Sequence, residues 1–166
     1  THLHSDHTAG LPAICAAQSS PATVYQVPLQ INALNYTTRM GLEALDLASC
    51  ERRALAEAEI MAIPGFPGLV AVSLAGHTPG STLFAARVGR AYWLFSGDIT
   101  NDKRSLTNDI PKHWAYSFFV VPEDTGWTAH LRQYLRNLEQ NDGVTVLPAH
   151  DVVVMAASLP AAVAAR

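Results

Sequence analysis

Two rhythms of apolar and polar positions run along the chain. Runs with β-branched and aromatic content fall at ATVYQVP (22–28), GLVAVSLA (68–75), TLFAARV (82–88), AYWLFSG (91–97) and VTVLPA (144–149), and these predict strands. Gly89-Arg90, between the third and fourth runs, predicts a tight turn. A helical rhythm occupies 29–61, most firmly GLEALDLASCERRALAEAEIM, where Leu42, Leu45, Leu55 and Ile60 stand among charged residues. IPGFPG then breaks the chain with two prolines and two glycines. A short helix is predicted within TAGLPAICAAQ and a longer one over 127–140, stopped by Asn141-Asp142-Gly143. Strands alternating with helices predict an α/β fold.

Composition narrows the class. The 166 residues, 49% hydrophobic and 15% charged, suit one compact domain over 1–166, and no repeat, low-complexity run or linker divides it. A net charge of -3 with no run of Lys or Arg argues against a nucleic-acid or anionic-lipid surface. No apolar stretch reaches the roughly 18–20 residues of a membrane span, since Ser158 and Pro160 interrupt the tail VVVMAASLPAAVAA. Cys15 and Cys50 lie far apart in sequence and are read as buried small apolar residues, not as a disulfide, so they set no compartment. Localisation and oligomeric state stay open.

The chemistry lies in seven donors: His2, His4, Asp6 and His7 in THLHSDHTAG, His77 in AGHTPGS, Asp98 in SGDIT, and His150 in LPAHD. Zinc takes imidazole nitrogen and carboxylate oxygen at about 2 Å and, in a catalytic site, keeps one position for water. In an extended segment residues two apart point the same way, so His2 and His4 can converge on one ion. Asp6 and His7 fall where the chain turns, which swings them toward a second ion. His77, Asp98 and His150 each follow an apolar strand and precede a break, where a sheet presents side chains at its edge. Two metals about 3.5–4 Å apart hold a bridging hydroxide and polarise a substrate oxygen. Iron or manganese suits the same donors. Of the remaining histidines, His113 in PKHWAYSFF is expected in packing or at the surface, and His130 at the surface of a helix. Trp93, Phe95, Trp114, Phe118 and Phe119 are expected in the core. A metal loop normally follows a core strand, and here only Thr1 precedes it, with no initiator Met. The chain is therefore read as a piece of a longer protein whose N-terminal portion, with any signal peptide, lies upstream.

HLHSDH resembles the HxHxDH signature of the metallo-β-lactamase superfamily, and GHTPGS, SGDI and PAHD follow in the expected order, from His2 to Asp151. The resemblance implies an αβ/βα sandwich with metals at the edge between two sheets, part of the first sheet coming from the missing portion. It implies two zinc ions: His2, His4 and His77 on one, Asp6, His7 and His150 on the other, and Asp98 bridging both. Asp98 stands where zinc β-lactamases carry Cys, which argues against penicillin or cephalosporin hydrolysis, and His4 in place of Glu argues against the di-iron flavoprotein branch. The chain is similar instead to lactonases and glyoxalase-II-like hydrolases. It departs from glyoxalase II at Ser81, usually His, and from acyl-homoserine lactonases at Asn101, where a substrate-touching Tyr is expected; Asp151 after His150 leans to the lactonase side. The implied activity is hydrolysis of a small-molecule ester, lactone or thioester by a metal-bridging hydroxide, with Asp6 also shuttling a proton to the leaving group. Alternatives are a phosphodiesterase, sulfatase or β-lactamase on the same metals, and a non-catalytic binding protein, disfavoured by the intact donor set. The helical segment 29–61 is expected to shape the substrate pocket through Tyr36 and Met40, and Thr78 and Asp151 to orient ligand histidines.

Overall fold

The computed structural model of the chain describes residues 1–31, 36–55 and 58–164. Two short helices, α1 (Ser5–Thr8) and α2 (Leu11–Ala16), lead to strand β1 (Thr23–Gln26), helix α3 (Tyr36–Leu47) and strands β2 (Glu51–Ala54), β3 (Ile60–Ala62), β4 (Leu69–Ser73), β5 (Thr82–Val88) and β6 (Ala91–Gly97). Helices α4 (Lys103–Thr107) and α5 (Thr125–Glu139), strand β7 (Val144–Pro148) and helix α6 (Val152–Ala164) complete the order. Strands β3 to β7 form one sheet in sequence order, antiparallel except for the parallel pair β6–β7, and β1 pairs in parallel with β2 in a second sheet. The parallel step from β6 to β7 needs a crossover connection, and α4 and α5 supply it.

Period-two alternation divides the larger sheet's side chains between two cores. One core holds Leu83, Leu94 and Val146 with Leu106 of α4 and Leu131 and Leu135 of α5. The other joins Met61, Ile63 and Ala71 to Val27 and Leu55, beside the small sheet. Leu106 and Leu135 are wholly buried, each contributing about 1.5–3 kcal/mol by removal from water. Helix α5 starts where Asp124 accepts a hydrogen bond from Trp127 N at 2.8 Å, an N-cap that the strand–helix pattern left unmarked.

Five strands and α5 lie where the apolar rhythm places them. The segment 29–61 does not stay helical. Helix α3 ends at Leu47, and the charged residues after it form β2, in register Thr23↔Glu51 to Gln26↔Ala54, while Ile60–Ala62 pairs with β4. Helix propensity differs by only tenths of a kcal/mol per residue, and strand pairing across the fold overrides it. Helix α3 packs on the chain's opening residues: a Cβ on Gly41 would lie 1.9 Å from the Leu3 carbonyl oxygen, so only glycine permits that approach. The helix therefore buttresses the first donor segment; Met40 is exposed, and the Tyr36 side chain lies outside the described residues. Cys15 and Cys50 form a disulfide, Cα atoms 5.3 Å apart, contrary to the expectation of two separate thiols. Their separation of 35 residues conceals a proximity that α3 creates by returning the chain to α2. The alanine-rich tail is helix α6, and among the described residues no helix is long and apolar enough to cross a membrane.

Candidate metal centre

The seven donors meet at one end of the larger sheet in two groups, His2 with His4 and His77, and Asp6 with His7, Asp98 and His150; within each group the donor atoms lie within 4.8 Å of one another. The first segment is extended at His4 and turns into α1 immediately after it, which brings Asp6 and His7 to Asp98 and His150 while the His7 ring stays 4.2 Å from the His2 ring between centroids. His77 follows β4, Asp98 follows β6 and His150 follows β7. Gly97 lets the segments close up: its φ is +58°, and a Cβ there would lie 2.7 Å from Thr1 Oγ1.

In the inner triad, His77 Nε2 stands 3.2 Å from His2 Nε2 and 3.2 Å from His4 Nδ1. Burial, followed by repulsion from His77, lowers the His4 imidazole to about 4 and pushes His2 lower still, so both are neutral near pH 7. Asp98 lies between the groups: Oδ2 is 3.0 Å from His150 Nε2 and 3.6 Å from His77 Nε2, and Oδ1 is 3.1 Å from His7 Nε2. Burial alone would raise the Asp98 carboxyl, but His7, His2 and His77 outweigh it and hold the group ionised, far below the ordinary carboxylate range. His7 Nε2 and Asp98 Oδ1 are buried and, though 3.1 Å apart, form no well-aligned hydrogen bond with each other or with another described residue. A cation taken by both satisfies them, and imidazole nitrogen with carboxylate oxygen is the donor chemistry of zinc. The residues present fit two ions.

The centre opens into a cavity of about 420 Å³ lined by Asp6, Asn101, Lys112, His113, Tyr116 and His150. His113 is thus at the mouth, while His130 is exposed on α5. Tyr116 begins a π-helical turn, Tyr116–Val120, a local widening frequent at functional sites. Burial and the negative charges of Asp98, Glu123 and Asp6 push its phenol above the ordinary value, keeping it a donor. Trp114, just before this turn, and Phe118 and Phe119 within it are 69–71% exposed, so these rings are outside the core that the sequence pattern expected.

Two orienting expectations change. Thr78 hydrogen-bonds Ser81, closing its own turn, and Asp151 accepts from Lys103 N at 2.9 Å and Val154 N at 3.0 Å, capping α6. The partners behind the imidazoles are others: Thr1 Oγ1 lies 3.2 Å from His2 Nδ1, and Glu123 Oε1 contacts His77 Nδ1. Glu123 also takes Lys112 Nζ at 2.6 Å and Ser117 Oγ at 2.9 Å. Burial would raise Glu123, but its bonds from His77 and Lys112 hold it ionised. Neither Glu123 nor Lys112 carries a sequence signal, since VVPEDTG and IPKHW match no spacing rule.

No family model matches the sequence, and no curated protein matches it. Solved structures do. An N-acyl homoserine lactone hydrolase with the product N-hexanoyl-L-homoserine at its catalytic metal center aligns at TM-score 0.65 and 15% identity, over 94% of this chain and 56% of that one. A hydrolase of the beta lactamase superfamily aligns at 0.53 and 17% identity, over 89% and 54%. A protein solved in a di-iron-bound form aligns at 0.52 and 23% identity, over 90% and 67%. The chain spans just over half the length of the lactone hydrolase it matches. From its sheets, its donor segments and these likenesses, the chain has the metallo-β-lactamase fold.

Proposed function

We propose that the protein is a dinuclear zinc-dependent hydrolase of an ester, lactone or thioester, with a lactone the favoured substrate. The observation that carries this reading is the gathering of seven nitrogen and oxygen donors into two groups, with Asp98 of one group 3.6 Å from His77 of the other and Asp6 and His150 lining an open cavity. Two ions bound there would activate a water and polarise the substrate's carbonyl oxygen. The chain's own residues supply the rest. The buried, neutral His2 and His4 imidazoles face His77 in the inner triad, and the ionised Asp98 carboxylate joins that triad to the outer group. Asp6, 54% exposed and 3.5 Å from His150, sits at the mouth, where it can carry a proton from the attacking water to the leaving oxygen. Tyr116 offers its hydroxyl proton to an oxyanion on the same side. The cavity suits a small molecule, and likeness to a lactone hydrolase with its product at a metal center favours the lactone. Imidazole and carboxylate also accept iron or manganese, so zinc is the first choice among three.

The test is elemental analysis of the full-length protein with a panel of lactones, thioesters, phosphodiesters and β-lactams. The expected result is about two ions per chain and lactone hydrolysis lost on chelation and restored by zinc. Hydrolysis that survives complete chelation, or no more than one ion after loading with excess zinc, overturns the reading.

A further inference from the structure

Among the described residues, the inner triad has a charged backing outside the donor set, and the outer group has none. His77 is 0% exposed, and the two charged side chains behind it, Lys112 and Glu123, are 7% and 3% exposed. Charges this deeply buried occur only when paired, and a buried pair by itself is weak support for stability. All three bonds to the Glu123 carboxylate aim it at one imidazole: Oε1 takes His77 Nδ1 and Lys112, and Oε2 takes Ser117. A carboxylate on Nδ1 holds the proton there and leaves the Nε2 lone pair directed at the triad's centre, where His2 and His4 stand 3.2 Å away. The backbone keeps this register. Asp124 N donates to Gly76 O at 3.0 Å and Trp127 Nε1 donates to Leu74 O at 2.7 Å, stitching the start of α5 to the loop that carries His77. The ion-pair partners of His7 and His150 are instead Asp6 and Asp98, members of the donor set itself.

We infer that Glu123 is a positioning residue for His77, held by Lys112 as its buried counter-charge, so that the inner triad binds its metal ion more tightly than the outer group. This rests on the two-metal reading above. Lys112 also lies at the edge of the cavity, with its ammonium 5.6 Å from the Tyr116 ring centroid, but it donates to Glu123 at 2.6 Å and stands 3.0 Å from His77 Nδ1, which makes it a support for that pair and not a hook for a substrate anion.

The experiment is competition for zinc against a chromophoric chelator, with cobalt(II) absorption as a second readout, on the full-length wild type and on Glu123→Gln, Glu123→Asp and Lys112→Met. The wild type is expected to show two unequal affinities. Glu123→Gln should weaken the tighter ion by about 10- to 100-fold and leave the weaker one in place. Its cobalt spectrum should change, Glu123→Asp should recover part of the loss, and Lys112→Met should weaken the same ion. Equal affinities in the wild type, or a tighter ion held within about twofold of wild type in Glu123→Gln, overturn the inference. If Glu123→Gln fails to fold, Ser117→Ala serves: it frees only Oε2 and should weaken the tighter ion several-fold, and unchanged affinity there overturns the inference equally. A wild type that binds no zinc defeats the metal-hydrolase reading itself, whereas two bound ions indifferent to Glu123 defeat this inference alone.

Discussion

The two halves of the candidate metal centre are built to opposite specifications. His2, His4 and His77 are buried, His2 and His4 are neutral near pH 7, and His2 is backed by Thr1 and His77 by Glu123, so this half resembles a piece of core. Asp6 and His150, in the other half, are 54% and 44% exposed at the cavity mouth. Burial excludes water from one half, which strengthens its electrostatics and fixes its geometry. Exposure in the other leaves room for a water and a substrate. Asp98 belongs to both, buried yet facing His77, His7 and His150.

The strongest way to break this division is to remove the residue that joins it. Asp98→Ala is expected to lower kcat/KM on whatever substrate is found by roughly a thousandfold or more, the several kcal/mol that metal charge stabilisation contributes. Metal content should fall toward one ion, retained by the inner triad. Comparable activity in the variant and the wild type removes Asp98 from its bridging place.

A second perturbation acts on the frame beneath both halves. The Cys15–Cys50 disulfide ties α2, just after the first donor segment, to the start of β2. Closing a loop of that length stabilises by up to about 4 kcal/mol in the chain-entropy account. Replacing both cysteines by serine should lower the denaturation midpoint accordingly and weaken both ions together, as read by urea unfolding and zinc competition. A loss confined to one ion shows that the disulfide serves that half alone.

The sequence exposed the donors more completely than their supports. HxHxDH and the strand-end positions of His77, Asp98 and His150 are legible because the proposed metal ligation ties residue type to spacing within one short segment and to the ends of apolar strands. Strands β4 to β7 are legible for a related reason, since alternation of buried and exposed positions is written locally. Glu123, Lys112 and Thr1 are not: a supporting residue needs only to arrive at the right place in space, and each comes from a loop or terminus with no periodicity of its own. The same holds for β2, whose strand state depends on pairing with β1 across 28 residues. The charged run around Arg52 and Arg53 reads as helix until that pairing is known. The disulfide is a third instance, two cysteines brought together by a helix whose end the pattern misplaces.

The division is sharpened by truncating one imidazole from each half in metal-free protein. His77→Ala leaves a cavity in a buried wall and deprives Glu123 of a charge-assisted bond, which should cost about 2–3 kcal/mol. His150→Ala removes a side chain at the mouth and should change stability by about 0.5 kcal/mol or less. Urea unfolding of both variants after chelation reads the difference directly. Equal costs mean that burial does not distinguish the halves.

The smallest expected effect falls outside the centre altogether. His130 is exposed on α5, and its nearest ring, Trp127, is 6.3 Å away between centroids. Among the described residues it lies outside both donor groups. Its replacement by alanine trades a weak helix former for the best one at a solvent-facing position, a change of a few tenths of a kcal/mol in favour of the helix. His130→Ala is therefore expected to keep two ions, to keep activity, and to unfold at the same urea concentration or slightly above it. Loss of a metal ion in this variant would mean that a histidine outside both groups takes part in binding, and the separation into a buried and an open half would have to be redrawn to include α5.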